Sequence, residues 1–131
     1  MACDFVNLHL HTETGSPLDG FSSSKDIIDR SVELGYNAIA VTDHGSMSGI
    51  LELYKEGKEK GIRVIPGIES YCVDDRTKPH VKGVPNFHLV LLAKNKEGYQ
   101  NLLKLNFEAY ETGAAKSYMR TIPRVDLDLL S

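Results

Sequence analysis

The chain has 131 residues, enough for one domain with a real core and too few for two. Apolar content (41%) and charged content (25%) are ordinary for a globular protein, and a net charge of −3 gives no overall basic footprint of a free-standing nucleic-acid binder, although it is compatible with a local basic patch. No stretch approaches the roughly 20 apolar residues that span a bilayer, and no charged-then-apolar leader follows Met1. Cys3 and Cys72 lack CxxC-type spacing and read as free thiols in a reducing cytosol. A soluble cytoplasmic protein that does not engage a membrane is the expectation.

Short apolar runs alternate with helical periodicity. Phe5–His11 alternates with period two and predicts a first strand. Thr12 to Ser22 is a polar loop with Gly15, Pro17 and Gly20. Ser23, Ser24 and Asp26 mark a helix start, Ile27, Ile28, Val32 and Leu34 give its apolar face, and Gly35 its stop. Asn37–Thr42 is a second strand, apolar nearly throughout as for a strand buried on both faces. Met47, Ile50, Leu51 and Tyr54 fall at i, i+3, i+4 and i+7 and predict a second helix with those residues inward, ended by Gly61. Arg63–Tyr71 is a third strand, with Pro66 marking an edge or bulge. Asp74–Asn86 reads as a polar surface loop, Phe87–Ala93 as a fourth strand, and Lys96–Tyr110 as a third helix. The tail from Gly113 is ambiguous, with a further short element at Val125–Leu130. Strands alternating with crossover helices predict a parallel α/β sheet, either open or part of a (β/α) barrel whose full form needs roughly 200 residues or more.

Ionisable residues gather at the strand ends. His9 and His11 lie at the end of the first strand, Asp43 and His44 just past the second, Glu69 near the end of the third, His88 early in the fourth, and Asp19 in the first loop. Ligands and catalysis sit at the C-terminal edge of parallel α/β sheets. Residues i and i+2 of a strand share a face about 6.6 Å apart, so His9 and His11 can serve one metal cluster while Leu8 and Leu10 pack on the other side. A mixed His/Asp/Glu set without cysteine suits a catalytic divalent cluster better than a structural zinc site. Taken singly, each has an ordinary explanation: a surface histidine, a helix-capping Asp-His, a structural salt bridge for Glu69. Burial without a partner costs several kcal/mol, and a shared metal explains the gathering. His80 reads as solvent-exposed and Cys72 as core.

These residues resemble a known family. Val6–Thr12, Ser16–Gly20, Ala40–Gly45 and Pro66–Glu69 are similar to the early motifs of the polymerase and histidinol phosphatase (PHP) superfamily. Phe87–Asn95, Gly98–Leu102 and Pro123–Asp126 resemble in particular its branch of N-terminal PHP domains of bacterial replicative DNA polymerase III α subunits. The resemblance implies a distorted seven-stranded (β/α) TIM-like barrel, of which residues 1–131 form one domain, an N-terminal portion incomplete at its C-terminal side. It implies a cluster of two or three divalent ions (Zn, Mn, Mg or Fe) held by His9, His11, Asp19, His44, Glu69 and His88. His9, His11, His44 and Glu69 are the implied catalytic residues, with Asp43 supporting the ligands from behind.

For function, the resemblance implies a part of a DNA polymerase with metal-dependent phosphoester hydrolysis, such as 3′–5′ exonuclease proofreading in the complete parent. DNA and other replisome subunits are the implied partners, reached through that parent. A structural or interaction module without catalysis, and a free-standing phosphatase for a small ester such as histidinol phosphate, are the alternatives. A partial barrel exposes strand edges and an apolar face, so a partner segment, self-association or a compensating rearrangement is expected.

Overall fold

Ser23 caps the first helix as predicted, its side chain accepting the Asp26 N–H, in a computed structural model that describes residues 4–81, 83–116 and 121–131. Cys3 lies outside the described residues. Helix α1 spans Ser24–Glu33 and buries Ile27, Ile28 and Ser31; Gly35, at φ 74°, turns the chain away. Val32 and Leu34, expected on the buried face, are exposed. Strand β1 (Ala38–Val41) is buried along its whole length. The Phe5–His11 segment lies parallel beside it, held by Ala40 N–H to Asn7 O and Thr42 N–H to Leu10 O, both 2.8 Å. Only an isolated bridge forms there rather than a full strand. Leu10 packs against the core as expected, whereas Leu8 is 48% exposed.

Helix α2 (Ile50–Lys60) is rotated relative to the sequence expectation. Ile50, Leu53 and Gly57 face inward, and Leu51 and Tyr54 are 63% and 51% exposed. Gly57 decides this: a side chain there would collide with Val64 and the Ile62 carbonyl, so its bare face is what lets α2 seat closely on the sheet. Ile27, Ile28, Ile39, Val41, Ile50, Leu53, Ile62 and Val64 form the main core between both helices and the sheet.

Strand β2 (Arg63–Cys72) is the axis of the sheet. Its first half pairs in parallel with β1, Arg63 to Pro66 against Ala38 to Val41. From Gly67 onward it pairs on its other side with β3 (Phe87–Leu92), and this pairing is antiparallel. The expectation of parallel strands throughout is corrected here. A parallel pair needs a crossover, and among the described residues no helix lies between β2 and β3, so the connection is a hairpin. Pro66 falls where the pairing with β3 ends: its carbonyl accepts the Ala93 N–H at 2.8 Å, and the ladder needs no N–H from it there.

Helix α3 (Lys96–Thr112) is capped by Asn95, whose side chain accepts the Gly98 N–H. It packs Leu102 with Ile68 and Ala93 in a second core. Strands β4 (Ala115–Lys116) and β5 (Thr121–Ile122) pair antiparallel, and β6 (Arg124–Val125) joins β2 in parallel at Tyr71 and Cys72 before the short helix α4, Leu127–Leu130. Cys72 is half-buried rather than deep in the core. No helix among the described residues is long and apolar enough to cross a membrane.

The ambiguous tail carries a buried polar knot. Arg124 donates to the carbonyls of Gly113, Arg76 and Lys78, at 2.8, 2.7 and 2.8 Å. Asp126 accepts from the Arg76 backbone N–H (2.9 Å), the Arg76 guanidinium and the Leu129 N–H. Burial pushes the Asp126 carboxyl up, but these hydrogen bonds and the Arg76 charge outweigh it and hold it below the usual carboxylate value. A depressed folded pKa contributes stability that is present above the ordinary value, about 3.9, and is lost as pH falls through the folded one. Urea unfolding from pH 6 down to pH 2.5 is therefore expected to lose stability below about pH 4, with a steeper slope than in Asp126→Asn. Equal slopes would remove Asp126 from the acid transition.

Candidate metal centre

The sheet edge gathers its polar residues from elements that run in both directions. His9 and His11 leave the N-terminal segment on one face, and their rings meet edge-on with centroids 5.0 Å apart. His44 follows β1, where its backbone bridges to Glu69. Because β3 is antiparallel, its start lies at the end of β2, with His88 opposite Tyr71. A parallel β3 would have placed His88 at the far edge; the hairpin brings it to the cluster.

Glu69 is the hub. Only 3% of it is exposed, yet its carboxylate faces four imidazoles. Oε2 lies 2.7 Å from His9 Nε2, 3.2 Å from His11 Nε2 and 3.5 Å from His44 Nδ1, while Oε1 lies 2.5 Å from His88 Nδ1. On the outer side, His44 Nε2 lies 2.8 Å from Asp19 Oδ2. The rings brace one another: His11 stacks on His44 at 4.2 Å, His44 on Tyr71 at 5.9 Å, and His88 stands edge-on to both His44 and Tyr71 at 5.1 Å. Burial pushes the Glu69 carboxyl up, but hydrogen bonds from His9 and His88 and the charges of His44 and His9 outweigh it, leaving it below the usual range.

All six residues expected as ligands thus converge. Three overlapping triads, His9–His11–Glu69, His11–Asp19–His44 and His44–Glu69–His88, each bring ligand atoms within 4.8 Å of one another, close enough to share an ion. The donor set fits a divalent cation. Imidazole and carboxylate are its ordinary ligands, and among the described residues Nδ1 of His11 and of His44 are buried without a hydrogen-bond partner, His44 Nδ1 having only the 3.5 Å approach to Glu69 Oε2.

Asp43 stands behind the ligands, 1% exposed. Oδ1 accepts from the Thr12 N–H (2.7 Å) and the Ser16 hydroxyl (3.1 Å), and Oδ2 from the Thr12 hydroxyl (2.9 Å). Ser16 Oγ in turn accepts the His44 N–H at 2.9 Å. This knot ties the residue after His11, the loop that carries Asp19, and the His44 backbone into one unit. Gly15 and Gly49 close over Asp43, and a side chain at either would strike its carboxylate. The sequence pattern does not single out Thr12 and Ser16 as individual residues: their short polar side chains in a polar loop carry no period or spacing, and only the Val6–Thr12 and Ser16–Gly20 motifs include them. His80 lies exposed in the loop before β3, apart from the cluster.

A profile of the PHP domain matches residues 7–131. The chain belongs to the PHP domain family. This PHP domain is homologous to the N-terminal region of DNA polymerase III α subunits. It is 42% identical over 129 residues to the α subunit of Borreliella burgdorferi, covering 95% of this chain and 10% of that protein. It is 41% identical over 126 residues to that of Helicobacter pylori strain 26695 (96% and 10%), and 38% identical over 138 residues to that of Aquifex aeolicus (99% and 11%). The chain therefore spans about a tenth of the length of these relatives. In three dimensions it shares its α/β barrel-type fold with an amidohydrolase from Chromobacterium violaceum, solved with bound sulfate and no metal (TM-score 0.53, 22% identity). A protein assigned as a metal-dependent phosphoesterase from Bifidobacterium adolescentis is similarly related (TM-score 0.54, 20% identity). Each alignment covers 81% of this chain and 34% of the other.

Proposed function

We propose that this PHP domain belongs to a bacterial-type replicative DNA polymerase III α subunit and serves it with a divalent-metal phosphoesterase centre that releases nucleotides from DNA 3′ ends. The observation that carries this reading is the buried Glu69 carboxylate ringed by His9, His11, His44 and His88, with Asp19 beyond. Those six residues would hold the ions, and a bound divalent cluster supplies a water of lowered pKa and a Lewis acid for the phosphoryl oxygens. The protein's own part is orientation. Asp43, Thr12 and Ser16 fix the backbone that carries His11, Asp19 and His44, and the Tyr71 ring sets the planes of His44 and His88. Mixed nitrogen and oxygen donors without thiolate favour Zn, Mn or Fe, with Mg served by the carboxylates. DNA and other replisome subunits are the partners this role implies.

The test is nucleotide release from a 3′-labelled duplex by the full-length protein with added Mn²⁺ or Zn²⁺. The expected result is release that chelation stops and that His9→Ala with His11→Ala abolishes. A full-length protein with bound metal, shown by elemental analysis, and no release would overturn the hydrolytic role. It would leave a structural one, in which the same double variant costs stability and no activity.

A further inference from the structure

We propose that a cavity between α2 and α3, apart from the metal centre, is a binding site for an aromatic phosphate monoester of nucleotide size. The cavity measures about 450 Å³, within the ordinary range of small-molecule sites, and none of the six clustered residues lines it. It exists because of two features of the fold. The pairing of β2 with β3 ends at Gly67, beyond which only the Ala93 N–H reaches the Pro66 carbonyl (2.8 Å), so Val64 and Ile65 have no strand on that side. The rotation of α2 turns Leu51 and Tyr54 outward, above this uncovered stretch.

The walls fit a flat ring. Tyr54, half-exposed at the lip beside Leu51, and Tyr99, half-buried on α3, offer aromatic faces over an apolar floor of Val64, Ile65 and Pro66. Stacking on tyrosine is worth about 1–3 kcal/mol per base where it has been measured in nucleic-acid binders. The rim fits an anion. Every charged residue lining the cavity is a cation, Arg63, Lys94 or Lys96, on a chain whose net charge is −3. None of the three forms an ion pair among the described residues, where the other paired lysines and arginines face carboxylates. The start of α3 adds its positive dipole end at Lys96, where the Asn95 side chain takes the Gly98 N–H and Glu97, which does not line the cavity, is the first-turn acid. Three cations and a helix start match a phosphate dianion better than a carboxylate.

The test is calorimetric titration of the chain with AMP, with adenosine and indole-3-acetate as controls, in EDTA so that the metal centre is empty of ions. Saturable 1:1 binding of AMP with a dissociation constant of about 1 mM or tighter is expected, with adenosine and indole-3-acetate each at least about tenfold weaker. Charge reversal of the exposed pair, Lys94→Glu with Lys96→Glu, is expected to weaken AMP about tenfold or more, and Leu51→Glu to do the same. His11→Ala is expected to bind AMP as the parent does. Adenosine or indole-3-acetate binding as tightly as AMP, loss of AMP binding in His11→Ala, rim variants without effect, or no saturation at several millimolar would each overturn the proposal.

Discussion

Replacement of Glu69 by Gln is expected to lower the affinity for Mn²⁺ or Zn²⁺ by about 100-fold or more, since a metal site loses 10–100-fold even when groups behind its ligands are removed. Glu69, like His11 and His44, belongs to two of the three triads, and it alone of these lies within 3.5 Å of four histidine nitrogens. Gln keeps the volume and one acceptor oxygen but loses the negative charge that offsets a divalent ion. The consequence is visible in stability as well. An ion present at 100 times its dissociation constant stabilises the folded state by about 2.7 kcal/mol, and a 100-fold weaker site reduces this to about 0.4 kcal/mol. Thermal unfolding with and without metal, beside equilibrium dialysis with elemental analysis, reads both. A Glu69→Gln protein that binds and is stabilised by metal as the parent is would sink the proposed centre.

Asp43→Ala is expected to cost several kcal/mol of folding stability, since each buried donor left without an acceptor costs about 1–3 kcal/mol. Three donors, the Thr12 N–H, the Thr12 hydroxyl and the Ser16 hydroxyl, lose their acceptor at once. Water cannot replace it easily, because Gly15 and Gly49 already sit against the carboxylate. Asp43→Asn keeps the shape and one acceptor, so a smaller loss is expected. Metal affinity should fall in both variants although Asp43 is in none of the ligand triads, because His44 and the Asp19 loop lose their common anchor. Urea unfolding and metal titration measure the two effects. A stability loss below about 1 kcal/mol for Asp43→Ala, within the range of an ordinary hydrogen bond, would contradict the knot.

The ligand set was legible because its chemistry is local to strand ends. His9-x-His11 shows its shared face in period two, and Asp43-His44 and Glu69 each close an apolar run. The direction of β3 was harder to read, because an apolar run has no polarity; the only signal was the missing helix between Cys72 and Phe87. Helix α2 misled for a different reason. Its sequence carries two apolar stripes, Ile50–Leu51–Tyr54 and Ile50–Leu53, and periodicity cannot rank them. The close approach at Gly57 does so only once β2 is present. Arg124 and Asp126 fall in the Pro123–Asp126 motif, but their structural role was not legible, since carbonyl and amide partners lie on Arg76 and Lys78, between 46 and 50 residues earlier. Thr12 and Ser16 lie in the quoted Val6–Thr12 and Ser16–Gly20 motifs, but their role shows only in their distances to Asp43.

The hairpin between β2 and β3 has one more consequence. Both of its stems are clamped, by Glu69 and His88 at the sheet and by Arg124 and Asp126 on Arg76 and Lys78. Residues 79–81 and 83–86 therefore hang outside the part of the chain that sets the geometry. Doubling such a span costs only about 0.6 kcal/mol of closure entropy. This stretch can lengthen, shorten or accept an inserted module while His88 stays in register. It is the segment through which this scaffold can diversify what surrounds its histidines without rebuilding them.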